Sequence, residues 1–233
     1  MIVDLPVAVV TGGNRGIGRE VCRQLALLGF IVVLGSRDLR KGELTAKELD
    51  PENARIFACQ LEVDNSLSVA AMAEWVKERF GRADVLVNNA STPYDRWVTA
   101  GSADLGTVAE AIDVNLFGPW RVVQALLPLL RSSGRPRIVN VSSEEASIAA
   151  MTGGAPAFSI SKSSLNALTR QLAAELGRDG ILVNSVCPGQ PADAAHPGGR
   201  TMAQAAASII WAITLPNGGP TGTFTRDGQP YPW

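Results

Sequence analysis

The sequence predicts an α/β fold in which helices cover both faces of a doubly wound parallel sheet. Short, nearly continuous apolar segments rich in β-branched residues recur along the chain, as expected of strands that are buried on both faces. Between them lie stretches whose apolar residues are three and four positions apart, which is the helical spacing. The 233 residues, 46% of them hydrophobic, suffice for one core, so a single domain over residues 1–233 is expected.

Six segments are predicted to be strands of this sheet, and helical segments alternate with them. The strands are residues 7–11, 31–36, 55–60, 85–89, 137–143 and 181–187. The helices are residues 15–28, 66–80, 105–130, 157–177 and 201–215. Residues 221–226 are expected to add a last edge strand, and the Pro/Gly/Ala-rich residues 187–200 are expected to form a loop over a site.

The charge and the cysteine content indicate which class of binding partner and which cellular compartment to expect. The formal net charge is −1 with acidic and basic residues interspersed, so neither nucleic acid nor an anionic membrane is an expected partner, and a small neutral or anionic molecule is favoured. Cys22, Cys59 and Cys187 lack CxxC spacing, and no secretory signal is recognisable, so buried thiols and a cytoplasmic location are expected. No group of residues has metal-ligand spacing, and His196 is expected at the surface.

A glycine-rich turn joins the first predicted strand to the first predicted helix. It reads TGGNRGIG, with Gly12, Gly16 and Gly18 before the helix. A Cβ at these positions would obstruct both the tight bend and the approach of a pyrophosphate to backbone N–H groups at the positive helix end. A plain strand-to-helix turn is the alternative, but a second strand that ends about twenty residues later is typical of a Rossmann-type dinucleotide site.

The end of the second predicted strand indicates which dinucleotide is bound. An acidic side chain at this place would bind the ribose 2′-hydroxyl of NAD, whereas a 2′-phosphate needs basic donors. The segment here is LGSRD, which places Ser36 and Arg37 at the turn, with Arg15 facing it from the glycine loop. Two guanidinium groups suit a phosphate, so NADP(H) is favoured. Asp38 is expected to cap a helix or face solvent.

Motifs along nearly the whole chain resemble the short-chain dehydrogenases/reductases of the classical type. Residues 11–18 match the family's TGxxxGxG, and NNAS at residues 88–91 is similar to its NNAG. The segments DVNLFGP, IVNVSS and CPGQ stand where the family has its catalytic Asn, its catalytic Ser and the turn beside the nicotinamide. The ending GPTGTFTRDGQPYPW looks most like the carbonyl-reductase branch, although the long insertion that many members carry is lacking.

The resemblance implies a role for each matching position. It implies catalytic positions at Asn115, Ser143, Phe158 and Lys162. It implies cofactor contacts at Gly12, Asn14, Arg15, Gly16, Ile17, Gly18, Ser36, Arg37, Glu62, Val63, Asn89, Ala90, Lys162, Pro188 and Gly189. It further implies a small-molecule carbonyl or alcohol substrate, and a homodimer or homotetramer formed through helices 105–130 and 157–177. Glu62 replaces the family's Asp, and Ser91 replaces the last Gly of NNAG.

The large departure from the family is Phe158, because the family motif YxxxK is here FSISK, ending at Lys162. Hydride transfer to a ketone develops negative charge on the carbonyl oxygen, which must be hydrogen-bonded and then protonated. In the family, a tyrosine whose pKa is lowered by the lysine ammonium supplies that proton. Phe158 has no hydroxyl, and Ser143 is a poor acid. Turnover is therefore expected to fall at least ~10²- to 10⁴-fold.

Three hypotheses account for Phe158. The favoured one is an active NADPH-dependent carbonyl reductase deliberately changed from Tyr to Phe, because Asn115, Ser143 and Lys162 are all retained. The second is a natural non-redox protein that binds NADP(H) on the same scaffold. The third is an enzyme whose chemistry needs no tyrosine, such as a cyclase.

The substrate is not encoded in a readable motif. Specificity is expected to lie in the loops at residues 91–101, 144–155 and 190–200. Tyr94, Trp97 and Met151 are candidates for lining the substrate pocket, although isolated aromatic residues after a strand more often pack.

Overall fold

The computed structural model describes residues 5–92, 95, 97–192 and 197–233, and an eight-stranded sheet forms its centre. The strands are β1 Val7–Thr11, β2 Ile31–Ser36, β3 Ile56–Gln60, β4 Val85–Asn88, β5 Arg137–Val141, β6 Leu182–Val186, β7 Phe224–Arg226 and β8 Gln229–Pro230. They are ordered β3-β2-β1-β4-β5-β6-β7-β8. The first seven are parallel, and β8 pairs antiparallel with β7. The predicted doubly wound parallel sheet is confirmed.

Seven α-helices cover this sheet. They are α1 Gly16–Leu27, α2 Leu39–Leu49, α3 Ser66–Phe80, α4 Leu105–Ile112, α5 Gly118–Arg131, α6 Pro156–Leu176 and α7 Met202–Thr214. Apolar residues of α1, α2 and α7 pack on one face, and those of α3, α5 and α6 pack on the other. None of the helices in the described ranges is both long enough and apolar enough to cross a lipid bilayer.

Side chains of β1 show why its sequence is continuously apolar. Val7 and Val9 lie in the core under α3, α5 and α6, whereas Ala8 and Val10 lie in the core under α1, α2 and α7. Successive residues of a strand point to opposite faces, so a strand with helices on both sides must be apolar at every position. This alternation confirms the physical basis of the strand predictions.

The predicted helix 105–130 is wrong as one continuous element. The structure has α4, then a π-helical turn at Asp113–Phe117, and then α5. Two features explain the interruption. Pro119 has no N–H to continue the helical hydrogen bonds, and Gly118 lies so close to the loop after β3 that an added Cβ would be 2.8 Å from Val63. The turn carries Asn115 into the protein interior, where it is fully buried.

Two further differences concern the edges of the fold. Helix α2 was not predicted, because its sequence LRKGELTAKEL has a thin apolar stripe with Gly42 in its middle. The expected edge strand 221–226 is shorter and is not the edge, because β8 pairs outside β7. Neither difference moves the predicted site.

The strand order places that site at the carboxyl ends of β1 and β4. The chain runs outward from β1 through β2 to β3, and then crosses back to begin β4 on the other side of β1. Ligands of open α/β sheets bind where the strand order reverses in this way. Gly12 follows β1 and Asn89 follows β4, so two of the sequence motifs meet at this crevice.

Candidate active site

The glycine loop between β1 and α1 has the conformation that its sequence predicts. Gly12 and Gly16 have φ values of +64° and +55°, a region that favours glycine. A Cβ on Gly18 would lie 2.3 Å from the Gly12 carbonyl oxygen, so α1 can pack this closely only with glycine there. The side of Gly16 is open, because a Cβ added there would have no neighbouring atom within 4 Å. The loop therefore leaves room for a phosphate at the N-terminus of α1.

The NNAS segment after β4 holds this loop in place. The Asn89 side-chain amide donates to the carbonyl oxygens of Thr11 and Gly12, at 3.0 and 3.1 Å. The Thr11 hydroxyl accepts from the backbone N–H groups of Asn89 and Ala90, at 3.0 and 2.8 Å. These four bonds fasten the loop after β1 to the loop after β4. Asn89 and Ala90 are thus placed beside the predicted phosphate site.

Asp38, the acidic residue near the end of β2 that could bind a ribose 2′-hydroxyl, is bonded to α2. Its carboxylate accepts from the Lys41 N–H at 3.1 Å and caps α2, and the Lys41 ammonium lies 3.6 Å away. That backbone hydrogen bond, followed by the charge of Lys41, lowers the pKa of Asp38. The expectation that Asp38 caps a helix is confirmed, and its bonding weakens the case for a ribose ligand.

The neighbouring basic residues are exposed. Arg15 precedes α1 and Arg37 follows β2, and neither has a carboxylate partner within the described part of the chain. Ser36 is buried, and its hydroxyl donates to the Asp38 carbonyl oxygen at 2.7 Å, which fixes the turn. Two unpaired guanidinium groups flank the end of β2, where a 2′-phosphate is expected.

The other predicted cofactor positions lie in the segments that follow β1 and β3. The Asn14 carbonyl oxygen accepts from Thr45 of α2 at 3.1 Å, and Ile17 packs against the core under α1. Glu62 follows β3 and is half-buried, with its N–H bonded to the Ser68 hydroxyl at 2.9 Å. Val63 is buried in the core next to Gly118.

Lys162 lies inside the protein on α6, with 3% of its surface exposed. Its ammonium donates to the Val141 carbonyl oxygen, at the end of β5, at 2.8 Å. Burial lowers the pKa of Lys162 to about 8. The Phe158 ring, one turn earlier on α6, has its centre 5.8 Å from the ammonium. A solvated surface lysine is excluded by this geometry, and the two residues of the altered YxxxK motif face each other.

Asn115 organises the middle of the site. Its side-chain oxygen accepts from the Ser91 hydroxyl at 3.0 Å and the Thr92 N–H at 3.2 Å. Its side-chain nitrogen donates to the Ser161 hydroxyl at 3.0 Å and the Thr92 carbonyl oxygen at 3.3 Å. Both lone pairs and both N–H groups of the amide are used. Asn115 therefore joins the loop after β4 to α6, next to Lys162.

Ser143 stands two residues beyond β5 and begins a 3₁₀ turn at Glu144–Ala146. The Ser143 hydroxyl accepts from the Glu145 N–H at 3.3 Å and donates to the Glu145 carboxylate at 3.3 Å. Glu145 was not among the residues that the sequence predicted for the site. Its position two residues after Ser143, at the first turn of a helical segment, is a signal that could have identified it.

Asp95 is a second residue that the sequence did not identify. Its carboxylate accepts from the N–H groups of Ala157 and Phe158, at 2.8 and 3.4 Å, at the N-terminus of α6. An anion there is favourable because the first N–H groups of a helix are unpaired and carry partial positive charge. Asp95 thus fastens the loop after β4 to the helix that bears Phe158 and Lys162.

The turn after β6 borders the site on its other side. Pro188 is buried and Gly189 has a φ of +75°, with the side chains of Arg200 and Arg226 packed where a Cβ would project. Arg226 of β7 forms an ion pair with Glu144 at 2.8 Å. The turn beside Gly189 is thereby tied to the segment that follows Ser143.

The predicted substrate-loop residues are only partly described. Trp97 is 94% exposed and Met151 is exposed, so neither is packed in the core. Tyr94 and His196 lie outside the described residues. The three cysteines are free and buried, as expected. Within the described ranges, no group of three His, Cys, Asp or Glu side chains is placed to hold a metal ion.

Comparisons with known proteins identify the family of the chain. Residues 6–195 match the model of a family described as short chain dehydrogenase. The chain is 31% identical to (+)-neomenthol dehydrogenase of Capsicum annuum, with 93% of this chain and 94% of that protein covered. It is 30% identical to (-)-isopiperitenone reductase of Mentha piperita, with 93% and 95% covered. A solved NADPH-bound carbonyl reductase from chicken fatty liver superimposes with a TM-score of 0.86 at 26% identity, covering 98% of this chain and 99% of that one.

Proposed function

The chain belongs to the short-chain dehydrogenase/reductase family, and from that premise we propose that it is an NADP(H)-dependent carbonyl reductase slowed by Phe158. One observation carries the proposal: the buried Lys162 ammonium lies 5.8 Å from the Phe158 ring centre, within an otherwise assembled site. Asn115 is fully bonded and Ser143 follows the strand to which Lys162 is bonded. Phe158 lacks the hydroxyl that a tyrosine would carry at this position.

The residues at the crevice fit the dinucleotide. The open side of Gly16 and the close packing at Gly18 form a cradle that a Cβ would fill, which suits the pyrophosphate. Arg15 and Arg37 have no carboxylate partner among the described residues and suit the 2′-phosphate, while the Asp38 carboxylate caps α2. Glu62 and Val63 would hold the adenine side, and Lys162, Pro188 and Gly189 the nicotinamide side. When bound, the reduced cofactor supplies the hydride for the carbonyl carbon.

The chain's own residues then handle orientation and charge. Ser143 donates a hydrogen bond to the carbonyl oxygen, and Lys162 provides positive charge nearby. Asn115 uses its whole amide to hold Ser91, Thr92 and Ser161, so it fixes the positions of the loop and helix. Phe158 fills the place of the acid but donates no proton. Proton delivery is therefore the slow part of the reaction.

The substrate is a small carbonyl compound or the corresponding alcohol, as in relatives named for neomenthol and isopiperitenone. The exposed apolar residues Trp97, Ile148 and Met151 near the ends of the site loops suit an apolar substrate. We further propose a homodimer or homotetramer. Leu105, Phe117 and Trp120, which are large and partly exposed, support an interface on α4 and α5. A cytoplasmic location stays a prediction.

Deliberate replacement of a tyrosine by phenylalanine in a working reductase remains the favoured origin of this site, because Asn115, Ser143 and Lys162 are all retained. A non-redox protein that binds NADP(H), and an enzyme such as a cyclase that needs no tyrosine, are the alternatives. The test is single-turnover oxidation of NADPH over a panel of ketones and aldehydes, with and without Phe158→Tyr. Binding of NADPH by both forms, with turnover restored by the tyrosine, supports the proposal. An inert Tyr form that still binds NADPH would favour a non-redox protein.

A further inference from the structure

We propose that Glu145 relays protons through the Ser143 hydroxyl to the substrate oxygen. This relay sets the rate of the slow carbonyl reduction that remains when position 158 is phenylalanine. This inference rests on the proposed carbonyl reductase function. Glu145 acts through another side chain, so it is a positioning and relay residue and does not itself touch the substrate. The Glu145–Ser143 pair delivers the proton that a tyrosine hydroxyl at position 158 would otherwise donate.

The geometry joins the two side chains directly. The Ser143 hydroxyl donates to the Glu145 carboxylate at 3.3 Å, so the hydroxyl hydrogen points at an acceptor that can hold a proton. The Glu145 N–H returns a bond to the same hydroxyl oxygen at 3.3 Å. Glu145 is exposed, which gives its carboxylate free proton exchange with water. The pair therefore connects the predicted oxygen-binding hydroxyl to solvent.

The neighbouring Glu144 is committed to a different partner. Its carboxylate forms an ion pair with Arg226 at 2.8 Å, and Arg226 also lies over the Tyr231 ring. Among the described residues, other charged or titratable groups packed around this segment include Lys162 on α6, Cys187 and Arg200 beside the turn after β6, and the last residue of the sequence, Trp233, whose main-chain oxygen accepts from the Ala149 N–H at 2.9 Å. Lys162 donates to Val141 and not to Ser143. Glu145 is thus the carboxylate bonded to the Ser143 hydroxyl.

The proton transfers balance in both directions. In reduction, hydride from the reduced nicotinamide adds to the carbonyl carbon, and the π pair moves onto oxygen. That oxygen takes the Ser143 hydroxyl proton while Ser143 takes the proton of the Glu145 carboxylic acid, which leaves a carboxylate. In alcohol oxidation, the same protons move the opposite way and hydride passes to the oxidised nicotinamide. No further reactant is needed.

A pH signature follows from this relay. This relay starts from a carboxylic acid, so it delivers protons faster in more acidic solution. The single-turnover reduction rate should therefore rise as the pH is lowered from 8 to 6. Direct protonation of the product oxygen by hydronium would give a similar slope, so a variant is needed to separate the two.

The variant is Glu145→Gln, which keeps an oxygen for the Ser143 hydrogen bond but holds no transferable proton. It should lower the single-turnover rate at pH 6 by ~10-fold or more and flatten the slope, while Glu145→Asp keeps the slope. Glu144→Gln, which removes the same charge one residue away, should keep the slope. In the Phe158→Tyr background, Glu145→Gln should change the rate less than about threefold, because the phenol is then the acid.

A readout independent of turnover tests the contact itself. In ¹³C NMR at a fixed pH, Ser143→Ala should shift the side-chain carboxyl resonance of Glu145, because the hydroxyl that donates to this carboxylate is removed. Three results overturn the relay: an unchanged resonance, a slope that persists in Glu145→Gln, or no turnover by the unmodified chain at pH 6 when Phe158→Tyr is active. These results differ from a failure of the proposed reductase function. In that case the Phe158→Tyr variant would also be inactive.

Discussion

The Lys162 ammonium lies 5.8 Å from the centre of the Phe158 ring and is bonded to the Val141 carbonyl oxygen at 2.8 Å. An aromatic face attracts a cation at such distances. The same lysine, placed next to a phenol, would favour the ionised phenol and lower its pKa. The Phe158 ring offers no ionisable hydroxyl to this charge. Under the proposed function, the pair has the arrangement of an acid site without the acid.

Phe158→Tyr is the first prediction. It should raise the single-turnover rate of carbonyl reduction by ~10² or more, because it returns a general acid. NADPH affinity should change little, because the phenol serves the transition state more than the ground state. Stopped-flow measurement of NADPH oxidation and calorimetric titration of NADPH check the two parts. A large gain in NADPH affinity without a gain in rate would contradict the role assigned to position 158.

Arg37→Asp should reverse the cofactor preference. The change removes a charge-assisted contact to the 2′-phosphate and adds repulsion, so NADPH binding should weaken ~100-fold or more while NADH binding changes little. Calorimetry with both cofactors measures the effect. Arg40→Asp, an exposed charge three residues further along, is the control and should weaken NADPH binding much less. Equal affinity of the unmodified chain for NADH and NADPH would refute the NADP(H) assignment.

Lys162→Met should change how stability depends on pH. The pKa of Lys162 is about 8 in the folded chain, below its ordinary value of 10.5, so the unfolded state binds more protons between these values. The free energy of unfolding therefore rises as pH increases from 8 to 10.5, by about 3 kcal/mol from this group. The methionine variant should lose that rise and be more stable at pH 7.

The measurement is urea unfolding of both forms at pH 7, 8, 9 and 10. The difference between the two forms removes the contribution of the cysteine thiols, whose pKa values burial raises above the ordinary value of 9.0. Identical pH dependence in both forms would show that Lys162 is not buried as described.

Asp95→Asn should loosen the start of α6. The substitution removes the negative charge that faces the Ala157 and Phe158 N–H groups, at a cost of about 1 kcal/mol in the free energy of unfolding. Hydrogen exchange at these two amides should accelerate. In the Phe158→Tyr background, KM should rise more than kcat falls, because the loop after β4 loses its anchor.

Asp104→Asn is the matched control for this prediction. Asp104 caps α4 by accepting from the Thr107 N–H at 2.8 Å; α4 packs against α6, but the Asp104 carboxylate has no hydrogen bond to α6 among the described residues. It should lower the melting temperature without raising KM. If both variants raise KM equally, the contact between Asp95 and α6 has no special part in the site.

The sequence by itself determined the sheet, the glycine loop and the identity of the altered position. Strands such as β1 are apolar at every residue because helices cover both faces of the sheet. Glycine is required at Gly12, Gly16 and Gly18 by the local backbone. These are features of neighbouring residues, so their spacing is enough to reveal them. The tertiary structure was needed where residues distant in the chain meet. Asn115 enters the protein interior on a π-helical turn, and there Ser91, Thr92 and Ser161 bond its amide.

Tertiary packing also decided the states of the charged residues. Lys162 has an ordinary helical neighbourhood in the sequence, and only burial against Val141 lowers its pKa. Asp95 reaches the N-terminus of α6 across sixty-two positions of sequence, a contact that no local pattern encodes. A side chain's desolvation and its distant partners depend on how the elements pack, so they become known only when the chain is folded.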